Sequence, residues 1–421
     1  MPYILGILAN SIHDPPGTAF TITQNPYSRS FGMGVLDGPE YAVTCNLLVS
    51  DPNGPAVTHS PFVDFRSDNT GRAAPELIAA LSAANTGSDL GYGGDALTAQ
   101  LQQRFTDLFK KPVRVFPVPT GTAANALSLA AACTPFGAVY CSADAHINTS
   151  ECNATSFFGG GTKMVPIAGA HGKIDPQALE AAIASAGIGL PHKSQPAAVN
   201  LVQATDLGAV YSFDEVAATA KVAHAHGLKV HMDGARFANA VARLGCTPAE
   251  ASWRAGVDIL SFGVTKNGGL LSDAIVVFAP DTAAQLGFHL RRAGHIWSKM
   301  RFASAQIIAY VEDDLWLRLA RQANAAAARI VEGIGSVRGI SLAAPVEANE
   351  LFVVAAPEVL TAVAGAGILF YRRGLRLGRF VCRWDTSDAD IDTLVGAITQ
   401  AARATQPMQT GKTTAAATES K

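Results

Sequence analysis

Ser261-Phe262-Gly263-Val264-Thr265-Lys266-Asn267-Gly268-Gly269 ends an apolar run (Val257, Ile259, Leu260, Phe262) that reads as a buried strand. Upstream, Asp233-Gly234-Ala235-Arg236 ends another such run (Leu228, Val230, Met232). A lysine set among small residues just past a strand can reach a bound aldehyde as a free amine. An aspartate just past another strand can hold a pyridine nitrogen protonated. Together they describe a pyridoxal phosphate (PLP) site, with Lys266 attaching the cofactor and Asp233 keeping its ring an electron sink. Either residue alone says little, because most lysines near strand ends are solvated and most Asp-Gly pairs are turns.

Outward from these two loops the chain alternates. Ala138–Cys141, Met164–Ile167, Ala198–Val202, Lys229–Met232 and Ile275–Phe278 read as buried strands. Helical segments are expected between several of them, at Phe213–His226 (Asp214 as N-cap, Gly227 as stop) and Pro248–Ala255. This alternation predicts an α/β fold with a mainly parallel sheet covered on both faces. Residues 62–314 are expected to form that large domain. Residues 315–404 are expected to form a smaller α+β domain: a long Ala-rich helix to about Ile334, strands at Leu351–Val354 and Phe380–Cys382, and a last helix from Asp388. Residues 1–61, rich in Pro, Gly, Asn and Ser, read as an irregular extension. The tail 405–421 has no apolar face and is expected to be disordered.

Composition permits this reading and excludes others. The 421 residues are 48% hydrophobic and only 16% charged, which suits a close-packed enzyme. A net charge of −2 with no basic run argues against nucleic acid or an anionic membrane surface as partner. The six cysteines show no CxxC spacing, so reduced thiols in a cytoplasmic protein are expected. Met1–Asn10 is apolar but lacks a basic flank, and Ala123–Cys133 is too short and too polar to span a bilayer. The ten histidines are scattered, so no metal site is expected.

Further chemistry lies in Thr120-Gly121-Thr122-Ala123-Ala124-Asn125, which opens a helix after the strand-like Val113–Val118. Small residues there leave N–H groups and a hydroxyl for phosphate, although an ordinary Thr-capped helix has the same look. Gly159-Gly160-Gly161-Thr162-Lys163 fits neither P-loop nor GxGxxG spacing and reads as a turn, which removes a nicotinamide dehydrogenase from consideration. His146, after a strand end, could stack on a pyridine ring and exchange protons with substrate. Arg236 could bond the ring oxygen or the phosphate. Arg379 and Arg383, on a strand-like run, would share a face, and either is a fork for a substrate carboxylate.

In order along the chain, Arg66-Ser67-Asp68-Asn69, Tyr92-Gly93-Gly94-Asp95, the Thr120–Asn125 stretch, Ala145-His146, His231 to Ala240, Thr265-Lys266-Asn267-Gly268 and Arg379 to Thr386 resemble the L-threonine aldolases. The resemblance runs from about Phe65 to Thr386. It implies PLP enzymes of the aspartate-aminotransferase-like fold (fold type I), and Thr-Lys-Asn-Gly resembles the low-specificity and phenylserine-aldolase branch. By position, it implies that Lys266 holds PLP, Asp233 meets the pyridine nitrogen, His146 stacks on the ring, and Gly121 and Thr122 bind phosphate. Arg236 would assist the cofactor, Arg379 (better matched than Arg383) would bind the substrate carboxylate, and Ser67 would add a contact. Tyr92 would line the site of a neighbouring subunit in a homotetramer built from dimers.

The implied reaction is retro-aldol cleavage of L-β-hydroxy-α-amino acids (L-threonine, L-allo-threonine, L-phenylserine) to glycine and an aldehyde. Two departures stand out. Where many members carry Glu-Asn-Thr-His, this chain has Gln203-Ala204-Thr205-Asp206, so Asp206, or a water held by His146, must replace the missing histidine. The N-terminal extension is also unlike the family. Other fold type I lyases (β-elimination, serine hydroxymethyl transfer) and racemases share every cofactor residue and form the alternative. A non-catalytic regulator of the same fold ranks lower, because the reactive residues are all retained.

Overall fold

Seven short apolar runs pair into one sheet: β1 (Arg114–Val118), β2 (Gly137–Ser142), β3 (Lys163–Ile167), β4 (Gln195–Val202), β5 (Lys229–Gly234), β6 (Ile259–Phe262) and β7 (Asp273–Val277). The computed structural model describes residues 62–405, so the expected extension 1–61 and the tail from 406 lie outside the described residues. Strand order is β1-β7-β6-β5-β4-β2-β3. All neighbours are parallel except the two pairings that β7 makes. The exception is the residue 263–272 loop, which returns directly from β6 to β7 without a crossover helix. Lys266 lies on that return. The expected α/β architecture holds, and β2, β6 and β7 are buried at every position, as a sheet covered on both faces requires.

Two sequence expectations fail locally. Pro248–Ala255 is not a helix: turns lead to a single 3-10 turn at Trp253–Ala255, closed by Gly256 at φ 100°. Ser252, at φ −136° and ψ −104°, leaves the helical region midway, while its hydroxyl donates to Pro248 O at 2.6 Å. The helix after β4, Phe213–Ala225, is capped by Ser212 rather than Asp214. Ser212 Oγ accepts from Glu215 N–H while the Glu215 side chain reaches back to Ser212 N–H, satisfying two end donors at once.

Beneath the lysine loop, Phe262 packs against five other aromatic rings, with the Phe105 ring centroid 5.1 Å away. Burying a side chain of this size contributes about 1.5–3 kcal/mol. A second core forms around Phe65, Leu351, Val353, Phe380 and Leu394. It carries a four-stranded antiparallel sheet that includes Glu350–Val354 and Leu377–Val381. Val63–Asp64 pairs with Ile368–Leu369, so the first described strand lies with these C-terminal residues. The proposed division near residue 314 falls where the 20-residue helix Leu315–Ile334 begins. Leu315, Trp316 and Leu319 belong to the first core, and Ala327, Ile330 and Ile334 to the second.

The aspartate and lysine loops cross at two glycines. Gly263 N–H donates to Gly234 O at 3.0 Å. A Cβ at Gly234 would sit 2.5 Å from Ser261 O, and one at Gly263 would collide with Ala235 O. Both obstacles are backbone, so relief requires moving a loop. Gly263→Ala is expected to cost about 1–3 kcal/mol of stability. Thermal denaturation would register this as a lowered Tm, and an unchanged Tm would contradict the crossing.

Candidate active site

Strands β2, β4, β5 and β6 deliver their carboxyl ends to one edge of the sheet, where open α/β sheets bind ligands. A cavity of about 630 Å³ opens there, lined by Ser67, Gly121, Thr122, His146, Asp206, Asp233, Arg236, Lys266 and Arg379. Tyr92 and Arg383 do not line it. Tyr92 is 60% exposed, with Arg291 stacked 5.3 Å from its ring centroid. Arg383 lies past the end of its strand at Val381, bonded to Asp385 (3.0 Å) and to Asp64 O.

Lys266 is presented by a tightly tied loop. Asp273 Oδ1 accepts from Val264 N–H (2.8 Å) and Thr265 N–H (3.0 Å), and Asn267 Nδ2 donates to Tyr310 Oη (2.7 Å) and Trp316 O (2.8 Å). Burial pushes the Asp273 carboxyl up, against those N–H bonds. Lys266 Nζ has no hydrogen-bond or salt-bridge partner among the described residues, as an amine free to meet an aldehyde requires.

Asp233 is positioned from both sides. Its Oδ1 accepts from Ala235 N–H (3.0 Å) and its Oδ2 from Asn125 Nδ2 (2.8 Å). Asn125 Nδ2 also donates to Glu151 Oε1 (3.0 Å), which accepts in turn from His146 Nδ1 (2.8 Å). One amide therefore ties the Asp233 carboxylate to the carboxylate that orients His146. The Glu151 bond raises the His146 pKa above its ordinary value, against burial and the Lys266 charge.

Below Asp233, His231 is buried between Asn200 Oδ1 (2.6 Å from Nδ1) and Ser261 Oγ (3.0 Å from Nε2). Burial takes its pKa down to about 4. A neutral ring donating from Nδ1 to Asn200 must accept at Nε2 from the Ser261 hydroxyl.

Thr120 caps the Gly121–Ala132 helix, its side chain accepting from Ala123 N–H. The ordinary-cap reading is thus correct for Thr120, while Gly121 and Thr122 line the cavity at the positive end of the helix. A Cβ at Gly121 would meet nothing nearer than Asp273 Oδ2 at 3.9 Å, so the glycine keeps a cradle open. Asn125 Oδ1 and Glu151 Oε2, both at the cavity wall, have no partner among the described residues. A lysine amine, a buried carboxylate, an oriented imidazole and a helix N-terminus fit PLP.

Arg236 is held through Nε and Nη2: its guanidinium forks onto Asp68 (2.7 and 3.1 Å) and pairs with Glu350 at 2.8 Å. Burial raises the Asp68 pKa, but the Arg236 and Lys266 charges outweigh it and hold the carboxyl below its ordinary value. Arg379 pairs with the same Glu350 oxygen and donates to Arg66 O at 3.3 Å. Asp206 is pushed up to about 7 by burial and by the Asp233 and Glu350 charges. Gln203, by contrast, bonds Tyr211 backbone through both ends of its amide (2.9 and 3.0 Å).

Sequence reasoning assigned no role to Asp68, Asn125, Glu151, Asp273, Glu350 or Arg373. Asn125 and Asp68 lie within the motifs that carried the resemblance, while the others showed no local signal.

A family model described as β-eliminating lyase matches residues 64–357. The chain is 42% identical over 324 residues to a low-specificity L-threonine aldolase of Pseudomonas aeruginosa, covering 76% of this chain and 93% of that protein. It is 40% identical over 336 residues to one from a Pseudomonas species, covering 79% and 96%. A solved structure of the Leishmania major threonine aldolase superposes with TM-score 0.75 at 23% identity, over 80% of this chain and 99% of that one, which shows the shared fold type I.

Because the Glu151 carboxylate raises His146, Glu151→Gln should move the His146 titration to lower pH. Its ring signals in NMR would report this; an unmoved or upward-shifted titration would rule out the Glu151 bond as the cause.

Proposed function

Because the chain belongs to the β-eliminating lyase family, and within it to the low-specificity L-threonine aldolases, we propose that this cavity is where its aldol cleavage takes place. The protein is a PLP-dependent aldehyde-lyase that splits L-threonine into glycine and acetaldehyde. The site reading rests on one observation above all. Asp233 is the penultimate residue of β5, not past its end as the sequence suggests, while His146 and Lys266 follow β2 and β6. All three line one cavity with the N-terminus of the Gly121–Ala132 helix.

PLP, when bound, supplies the electron sink that lets the Cα–Cβ bond break. Lys266 holds it through the amine, and the Gly121 and Thr122 N–H groups take its phosphate. Asp233, fixed by Ala235 and Asn125, keeps a proton on the pyridine nitrogen. His146, held by Glu151, would cover a face of the cofactor ring. Arg236, immobilised by Asp68 and Glu350, offers a fixed positive charge beside the cofactor. Arg379 and Ser67 hold the substrate carboxylate, which fixes the angle of the scissile bond.

Asp206 accepts the β-hydroxyl proton, replacing the missing histidine. A carboxyl that ionises near pH 7 is matched to this task. L-allo-threonine and L-phenylserine extend the proposed substrate range. Tyr92, exposed and away from its own cavity, is free to line that of a neighbouring subunit in a homotetramer. Among the described residues five cysteines are free thiols, which suits the cytoplasm, and no helix is long and apolar enough to cross a membrane.

Purified protein with PLP should release equimolar aldehyde and glycine from L-threonine and L-phenylserine. Lys266→Ala should abolish both this turnover and the visible absorbance of lysine-bound cofactor; a 2-oxo acid instead of aldehyde would favour elimination. Asp206 must be ionised to act, so kcat/KM should fall as pH drops through about 7. Asp206→Asn should remove that limb and slow cleavage about 100-fold or more. Near-normal rates with the limb intact would return the base to a water held by His146.

A further inference from the structure

Four cationic side chains besides His146 line the cavity, and three already have work. Arg236 is held by Asp68 and Glu350, Arg379 by Glu350, and Lys266 carries the cofactor on the reading above. Arg373 differs: among the described residues no side chain pairs with its guanidinium, although Asp144 and Asp206 line the same cavity. Its backbone is nevertheless fixed. Arg373 N–H donates to Leu377 O at 2.8 Å in the hairpin between Tyr371–Arg372 and Leu377–Val381, and Gly374, at φ 80°, makes the turn.

Leu377 and Arg379, two residues apart, both line the cavity, and Arg373 sits opposite Leu377. Arg373 is therefore a diagonal cross-strand neighbour of the proposed carboxylate arginine, roughly 7–8 Å from it. Leu377 and the buried Phe352, which pairs with Arg379 across the sheet, supply the apolar surface of this wall. One wall thus carries a cation, an apolar strip and a second, unneutralised cation.

We propose that Arg373 is a specificity-determining residue that admits L-β-hydroxy-α-amino acids whose side chain ends in a carboxylate, the smallest being L-β-hydroxyaspartate. This rests on the aldolase reading and on Arg379 binding the α-carboxylate. In the reaction the Cα–Cβ bond breaks and the hydroxyl proton leaves as the aldehyde C=O forms. Cα keeps the bonding pair and takes up one proton. The products are glycine and glyoxylate, and no oxidant or reductant is consumed.

The test compares PLP-loaded wild type, Arg373→Ala and Arg373→Lys in two ways. The first is kcat/KM for L-β-hydroxyaspartate relative to L-threonine. The second is binding of L-aspartate relative to L-alanine, neither of which can undergo retro-aldol cleavage, followed by the change in cofactor absorbance. Arg373→Ala should lower both ratios about threefold to fivefold, the scale of one exposed ion pair, and Arg373→Lys should restore part of the loss. Threonine cleavage without glyoxylate release, or ratios that Arg373→Ala moves less than twofold, overturns the proposal. Absence of threonine cleavage would instead sink the aldolase reading, and the aspartate-to-alanine binding ratio would still decide Arg373.

Discussion

Arg236 is the interaction on which the site's geometry depends. Its guanidinium is 7% exposed, and the carboxylates of Asp68 and Glu350, each 1% exposed, share it. These three come from the start of the described chain, from the end of β5 and from the C-terminal sheet. Asn349 Nδ2 adds a bond to Asp68 Oδ2 at 3.2 Å. Charges so buried are costly to desolvate, and losing one partner strands another at about 3–5 kcal/mol. The cluster therefore joins the second core to the loop that carries Asp233. It also fixes Arg379, which reaches the same oxygen of Glu350 from the opposite side of the network.

The chemistry-bearing residues were legible because each sits beside a local signal. Lys266 and Asp233 follow apolar runs, and Gly121 and Thr122 open a helix. Their partners were not. Glu151 acts on His146 five positions away, but its value comes from Asn125, which also reaches Asp233, 108 positions along the chain. Glu350 precedes the expected strand Leu351–Val354, and only the register of Glu350–Val354 against Leu377–Val381 brings it beside Arg379. The Arg379/Arg383 choice depended on where a strand ends. The strand stops at Val381, so the alternation that would have put both on one face does not reach Arg383. Pro248–Ala255 fails as a helix for a reason the spacing does not carry: the backbone at Ser252 leaves the helical region.

The polar side chains beneath the proposed pyridine site fall into two separate sets. Asn125, Glu151 and His146 connect to Asp233 through charge-assisted hydrogen bonds. Asn200, His231 and Ser261 form a neutral row between neighbouring strands, kept uncharged by burial. A neutral row there adds no charge beside the carboxylate proposed to meet the pyridine nitrogen.

The Leu315–Ile334 helix lies in both cores, and the lysine loop leans on it: Asn267 bonds Trp316 O, and a Cβ at Gly268 would touch Leu319. Mechanically it is a shared beam. One end packs against the sheet that carries Arg379, and the other, through Asn267, against the turn that carries Lys266. The proposed carboxylate arginine and the proposed cofactor lysine thus rest on one common support.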